Sequence, residues 1–224
     1  MTSVLQSVAI IPFALEDATQ TIYILLAQGA SRRFDDRCCH SAWGDLGGSP
    51  EPGESPFETA AREFEEETLS MVHVAHLRPS NNTRQHQIVQ QLKQGHYFLR
   101  VRLHFHLDGV GDFHRDFYLK QVPFDPSISR RFAQTREALL RMTKGSNPDT
   151  IPASIRTHPA IMHSTNGIPA PRFLEKSALR WLSLDHIMDL IQHQGQYRNI
   201  RLKGSFVPAL RIVTGELLRF VPET

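Results

Sequence analysis

Between Gly48 and Leu69 the chain reads GSPEPGESPFETAAREFEEETL, and the spacing of its charges constrains the fold more than any other stretch. Glu54 follows Gly48 after five residues, seven more lead to Arg62-Glu63, and Glu66-Glu67 follow within one helical turn. Ser55 is a favourable N-cap, Pro56 suits the first helical position, and Glu58 stands where a capping box needs it. The pattern predicts a helix over 55–68. Phe57, Ala60, Ala61, Phe64 and Thr68 then form one stripe that faces a core. Glu63, Glu66 and Glu67 fall on the adjoining arc, because positions three and four apart share a helix face. Like charges at that spacing repel by roughly 0.2–0.5 kcal/mol per pair. A hard divalent cation would neutralise them, and Mg²⁺ is typically held by a few carboxylates together with substrate phosphates. The plainer alternative is an acidic, solvated helix face.

The pattern resembles the Nudix box: Gly, five residues, Glu, seven residues, Arg-Glu, an apolar residue, any residue, Glu-Glu, any residue, Gly, apolar. Phe64 fills the inner apolar slot and every charged position matches. The departure is at the end, where Leu69 stands in the place of Gly and Ser70 in the place of the apolar residue. The resemblance implies that Gly48 offers its carbonyl to a metal and that Glu63, Glu66 and Glu67 are metal-binding carboxylates. It assigns Glu54 and Arg62 to structural support. It also implies a further glutamate ahead of a strand of the type Trp-apolar-Ser-Leu, here Trp181 to Leu184. Glu175, six residues before Trp181, is the choice for that fourth carboxylate. One of Glu63, Glu66, Glu67 or Glu175 would take a proton from the attacking water. The expected cofactor is Mg²⁺, with Mn²⁺ as an alternative.

The remainder of the chain bounds the setting. At 224 residues it is long enough for one domain with an insertion. No run of about eighteen apolar residues occurs, so no membrane span is expected. The start, MTSVLQSVAIIPFAL, lacks a basic n-region and suits a first strand better than a signal peptide. The only two cysteines are the neighbours Cys38 and Cys39, poorly placed for a structural disulfide, which fits a reducing, cytoplasmic compartment. His40 beside them makes a weak metal cluster without further ligands nearby.

The net charge of +2 conceals an asymmetry. Residues 1–69 carry four Arg or Lys against twelve Asp or Glu, whereas residues 70–174 carry fourteen against six, with nine of the twelve histidines. An acidic metal end beside a basic middle suits a polyanionic substrate; scattered solvated cations are the alternative. From His96 to Leu107 apolar and polar residues alternate, as one strand with two unlike faces requires. Arg100, Arg102, His104 and His106 lie on its polar side. Facing a cleft, Arg100, Arg102 and His104 would contact phosphates; facing outward, they would only solvate the sheet.

Strands are expected at 4–14, 21–28, 42–46, 71–77, 96–107, 113–122 and 178–182. Helices are expected at 55–68, 127–143, 184–194 and 206–220, with partial helix in 79–95 and loop over 145–172. The distance from the box to Trp181 implies an insertion somewhere in roughly 79–172, a natural place for substrate selection. The expected fold is therefore an α/β sandwich of Nudix type, with a mixed sheet between helices and one domain over 1–224. The resemblance implies Mg²⁺-dependent hydrolysis of a nucleoside diphosphate linked to another moiety, a phosphorylated small molecule. Two alternatives stay open: decapping of RNA or hydrolysis of diphosphoinositol polyphosphates, with Phe98, Phe113, Phe117 and Tyr118 as stacking candidates, and a non-catalytic nucleotide sensor. Oligomeric state is not encoded in any feature of the sequence.

Overall fold

A computed structural model describes residues 5–29, 42–74, 83–107, 111–144, 155, 157–162, 168–197 and 199–220. Strands β1 (Leu5–Glu16), β2 (Thr21–Gly29), β3 (Trp43–Gly44) and β4 (Leu46–Gly48) precede the first helix, α1 (Pro56–Glu67). Helix α2 (Arg84–Lys93), strands β5 (Leu99–Leu107) and β6 (Gly111–Gln121) and helix α3 (Ile128–Thr143) follow. A short helix α4 (Pro159–Met162) and a 3₁₀ turn (Pro171–Leu174) lead into β7 (Lys176–Ser183) and α5 (Leu184–Gln192). The small pair β8 (Gln196–Tyr197) and β9 (Ile200–Arg201) precedes the last helix, α6 (Val207–Phe220).

The main sheet runs β3-β2-β1-β6-β5, with β4 also paired to β1 and β7 to β2. β1 pairs antiparallel with β2 and β4 but parallel with β6, so the sheet is mixed. Alternation along β1 sorts the core into two layers. Val8 and Ile10 pack with Ala60, Ala61 and Phe64 of α1, Ile88 and Leu92 of α2, and Phe132 of α3. Ala9 and Ile11 pack with Ile187 of α5 and Leu210 and Val213 of α6. Helices thus cover both faces, and the architecture is the expected α/β/α sandwich.

Most expected elements are present, with shifted ends. The strand expected at 71–77 is not: residues 71–74 form no strand, and 75–77 lie outside the described residues. Val72 and Val74 are buried, but the Val72 carbonyl is taken by the Arg84 guanidinium instead of a sheet ladder. The adjacent Leu69 and Ser70, at φ +52° and +54°, turn the chain too sharply to enter an extended run directly. The expected strand at 42–46 is divided into β3 and β4 and extends through Gly48. Within the region that was expected to hold an insertion, β5 and β6 belong to the central sheet. Of the expected loop, residues 145–154, 156 and 163–167 lie outside the described residues, as do Cys38, Cys39 and His40.

Candidate active site

The site forms where β4 ends under α1. The pairing of Val8 with Gly48 and Ala9 with Gly47 presses the glycine backbone against β1 on one side and α1 on the other. A Cβ at Gly47 would run into the Val8 carbonyl, and one at Gly48 into the Glu63 carboxylate. The approach at Gly47 is to backbone and only glycine permits it; a side chain at Gly48 would instead displace the Glu63 carboxylate. The Gly48 carbonyl accepts a hydrogen bond from Ser7 Oγ at 3.0 Å, which fixes its direction.

Helix α1 begins as its sequence dictates. The Ser55 side chain accepts from the Glu58 N–H and the Glu58 carboxylate accepts from the Ser55 N–H, a complete capping box, with Pro56 as first residue. Its end is a Schellman motif: Ser70 N–H donates to the Glu65 carbonyl at 2.8 Å and Leu69 N–H to that of Glu66 at 3.2 Å. Leu69 occupies the left-handed C′ position where glycine is usual. Its side chain is buried, and that burial offsets the conformational cost.

Arg62 is the hub of the helix face. Its guanidinium grips Glu54 through two bonds of 2.7 and 3.0 Å, and reaches Glu63 at 2.8 Å, Glu66 at 3.3 Å and the Ser49 carbonyl at 3.1 Å. Burial works against its charge, yet Glu54, Glu63 and Glu66 hold its proton above the ordinary guanidinium range. Glu54 also accepts from the Glu51 N–H and Thr59 Oγ1, so it ties the loop to the helix. Arg62 prevails over burial in keeping Glu54 below the usual carboxylate range.

The other carboxylates are strained electrostatically. Burial, aided by Glu63, pushes Glu66 up to about 7 against the pull of Arg172 and Arg62. Burial likewise pushes Glu67 up to about 7, although Lys176 opposes it. Glu63 is raised by burial and by Glu175, with Arg62 pulling the other way. Glu175 therefore lies close enough to Glu63 to act on it, at the junction between the 3₁₀ turn and β7. Lys176, the next residue, is the cation that reaches Glu67, at 2.7 Å. For Lys176 the attraction of Glu67 and Asp45 exceeds the burial penalty, whereas for Glu67 burial exceeds the attraction.

Beneath this layer Asp45 pairs with Arg115, and Lys203 and Lys176 add to the pull that keeps Asp45 ionised against its burial. Asp45 Oδ1 and Arg115 Nε find no partner among the described residues.

A divalent cation would find oxygen donors here: the Gly48 carbonyl and the carboxylates of Glu63, Glu66 and Glu67. Three acids whose ionisation is disfavoured by burial are a donor set that a cation would relieve, so the chemistry fits Mg²⁺. Among the described residues no three Asp, Glu, His or Cys side chains converge on one point as they stand. Each carboxylate rests instead on a protein cation: Glu63 on Arg62, Glu66 on Arg62 and Arg172, Glu67 on Lys176.

Arg100 and Arg102 stand opposite Tyr118 and Asp116 of β6, and directly paired residues share a face. Tyr118 packs against Phe57 of α1 at 5.6 Å, so this polar face of β5 lies on the box-helix side of the sheet. Arg102 binds Asp116 through two bonds of 2.7 and 2.8 Å, and Arg100 adds a third at 3.0 Å. Asp116 and Gly48 both pair with Val8, which puts them two strand spacings apart, about 10 Å. His104 packs edge-on against His114 nearer the hairpin tip.

Lys176, Arg172, Asp45 and Asp116 are members of this site that sequence reasoning missed. Asp116 could have been found by folding the 96–107 and 113–122 alternations into one hairpin, which sets it against Arg102. Lys176 follows the expected Glu175 but carries no periodic signature, and its partner lies over a hundred residues away.

Residues 5–114, from β1 through the box to the start of β6, match the NUDIX domain family model. With the box residues arranged as described, residues 5–114 form a domain of the Nudix family. Among solved structures it is similar to RenU, a Nudix hydrolase from M. smegmatis, at 12% identity and TM-score 0.46, covering 97% of this chain and 88% of that one. It is also similar to an Ap4A hydrolase from C. elegans at 12% identity and TM-score 0.45, covering 96% and 99%. The NUDIX domain of Shewanella oneidensis NrtR, solved with ADP ribose, aligns at 13% identity and TM-score 0.46, covering 97% and 90%. No protein of curated function matches the chain. The family assignment rests on the domain match and the box.

Proposed function

We propose that the protein is a Mg²⁺-dependent pyrophosphohydrolase acting on a nucleoside diphosphate linked to another moiety. The observation that carries this is the set Glu63, Glu66 and Glu67 beside the backbone of Gly48 at the end of β4, with Glu66 and Glu67 buried and pushed up to about 7. Acids so placed call for a further cation. A bound metal would supply Lewis-acid polarisation of the phosphate oxygens and a more acidic water.

The chain's own residues do the rest. Gly48 and the box carboxylates would hold the ion, and Arg62 would keep Glu63 and Glu66 on the same edge of α1. Glu63, raised above the usual carboxylate range by burial and by Glu175, is suited to accept a proton from the attacking water. Arg100 and Arg102, held by Asp116 about 10 Å from Gly48, would receive the phosphate or sugar part beyond the cleaved bond. His104, further along the strand, would extend that contact.

The ADP ribose bound by the NrtR domain and the Ap4A of the C. elegans enzyme are substrate candidates of this class. Stacking of RNA bases is disfavoured, because Phe117 and Tyr118 are 1% exposed and belong to the core. Phe98 touches Phe13 and Phe220 at its edges but stays 39% exposed, and Phe113 packs on Phe105. A non-catalytic sensor is the second reading, favoured by the protein cation already present at every box carboxylate. One substrate panel with Mg²⁺ separates them: dinucleoside polyphosphates, ADP-ribose, NADH, capped RNA and diphosphoinositols. Cleavage of the first three classes supports the proposal. Tight nucleotide binding without cleavage supports the sensor.

A further inference from the structure

We propose that Lys176 is a built-in cation for Glu67 that withholds this carboxylate from the metal, leaving Glu63, Glu66 and the Gly48 carbonyl to hold a single divalent ion. The inference rests on the metal-dependent reading above and narrows its ligand set.

Both oxygens of Glu67 are already committed. Oε2 accepts the Gly47 N–H at 2.7 Å and Oε1 meets Lys176 Nζ at 2.7 Å. Each side chain is about as buried as the other, with Glu67 at 3% and Lys176 at 5% exposed. A buried ammonium needs a carboxylate, and a pair broken inside the protein leaves an uncompensated charge. Lys176 cannot swing into water: it opens β7, its own carbonyl is held by Arg136 Nε at 2.6 Å, and its Nζ also lies 3.5 Å from the Asp45 carbonyl.

The other two carboxylates differ in this respect. Arg62 keeps its two-point grip on Glu54 and its bond to the Ser49 carbonyl whether or not Glu63 and Glu66 remain bound. Arg172, which pairs with Glu66 at 3.0 Å, is 40% exposed and has solvent to move into. Glu63 and Glu66 can therefore exchange a protein cation for a metal without stranding a charge. Glu67 cannot. A metal and an ammonium on the same oxygens would repel, so Lys176 stands where a second ion would otherwise be held.

The test is Mn²⁺ binding to the metal-free protein, without substrate, by calorimetry and by the Mn²⁺ spin-resonance signal. The wild type should bind one Mn²⁺ per chain. Glu66→Gln should weaken binding by about tenfold or more, the usual effect of disturbing a metal site. Glu67→Gln should leave affinity and stoichiometry within error of the wild type, and Lys176→Met should tighten binding or add a second ion. Lys176→Arg, which keeps the charge, should bind as the wild type does and guards against a folding defect in the Met variant. If Glu67→Gln weakens Mn²⁺ as much as Glu66→Gln does, or the wild type binds two ions, the inference about Lys176 is overturned while the metal reading stands. If the wild type binds no Mn²⁺, both fall.

Discussion

Replacing Glu66 by Gln tests the electrostatics of the box without any substrate. Burial beside Glu63 makes Glu66 titrate at about 7 instead of 4.5, in spite of Arg172 and Arg62. At about 1.4 kcal/mol per pH unit, ionising this group in the folded protein costs about 3 kcal/mol. Its side chain is only 7% exposed, so solvent screens little of that cost. The sign follows from the protons held by each state. Between pH 4.5 and about 7 the folded protein keeps the proton that the unfolded chain has lost. Stability contributed by this group is therefore full below 4.5, falls as pH rises through the window, and is flat above it. Gln imitates the protonated form at all pH values. Glu66→Gln should match the wild type near pH 4.5 and exceed it at pH 8 by up to about 3 kcal/mol, or roughly 6–12 °C for a chain of this size. Thermal unfolding in a chelator at the two pH values reads this directly. Added Mg²⁺ should close the gap at pH 8, because it stabilises the wild type more. An equal gain at both pH values, or a variant less stable at pH 8, refutes the argument.

Arg62→Ala should lower stability by about 3–5 kcal/mol in chemical denaturation, because it strands Glu54 and Glu63 and leaves Glu66 to Arg172 alone; a melting temperature equal to wild type would move Arg62 from support to substrate contact. Arg100→Ala with Arg102→Ala should raise KM more than it lowers kcat, with a loss that shrinks as salt rises. Kinetics unchanged at low and high salt would remove the pair from the substrate site. Leu69→Gly should be destabilising on balance: relief of the left-handed backbone returns about 1–2 kcal/mol, but the lost buried side chain costs about 2–5 kcal/mol. A higher melting temperature for the glycine variant would show that strain outweighs packing there.

Local chemistry made the box helix legible, since Ser55, Pro56, Glu58 and the Ala60-Ala61-Phe64 stripe each act within a turn or two of chain. The resemblance assigned Glu54 and Arg62 to support, and the two side chains meet. The period-two alternation of 96–107 identified a strand, but could not say which helix layer its arginines face, because that depends on the parallel pairing of β6 with β1. The same limit hid Lys176, whose role is set by β7 pairing with β2 and not by its neighbours. The strand expected at 71–77 failed for a local reason. Its apolar residues suit a strand, but the Schellman turn at Leu69 and Ser70 and the Arg84 guanidinium on Val72 give the backbone another course.

The central claim is that the box carboxylates run a metal-dependent cleavage of a phosphoric anhydride. The most direct measurement follows ³¹P resonances of ADP-ribose and of a dinucleoside polyphosphate with wild-type protein, first in chelator and then in Mg²⁺. The account predicts no change in chelator, conversion of at least one substrate to phosphomonoester products on adding Mg²⁺, and loss of that conversion in Glu66→Gln. Cleavage that proceeds equally in chelator, or survives Glu66→Gln unchanged, would contradict it.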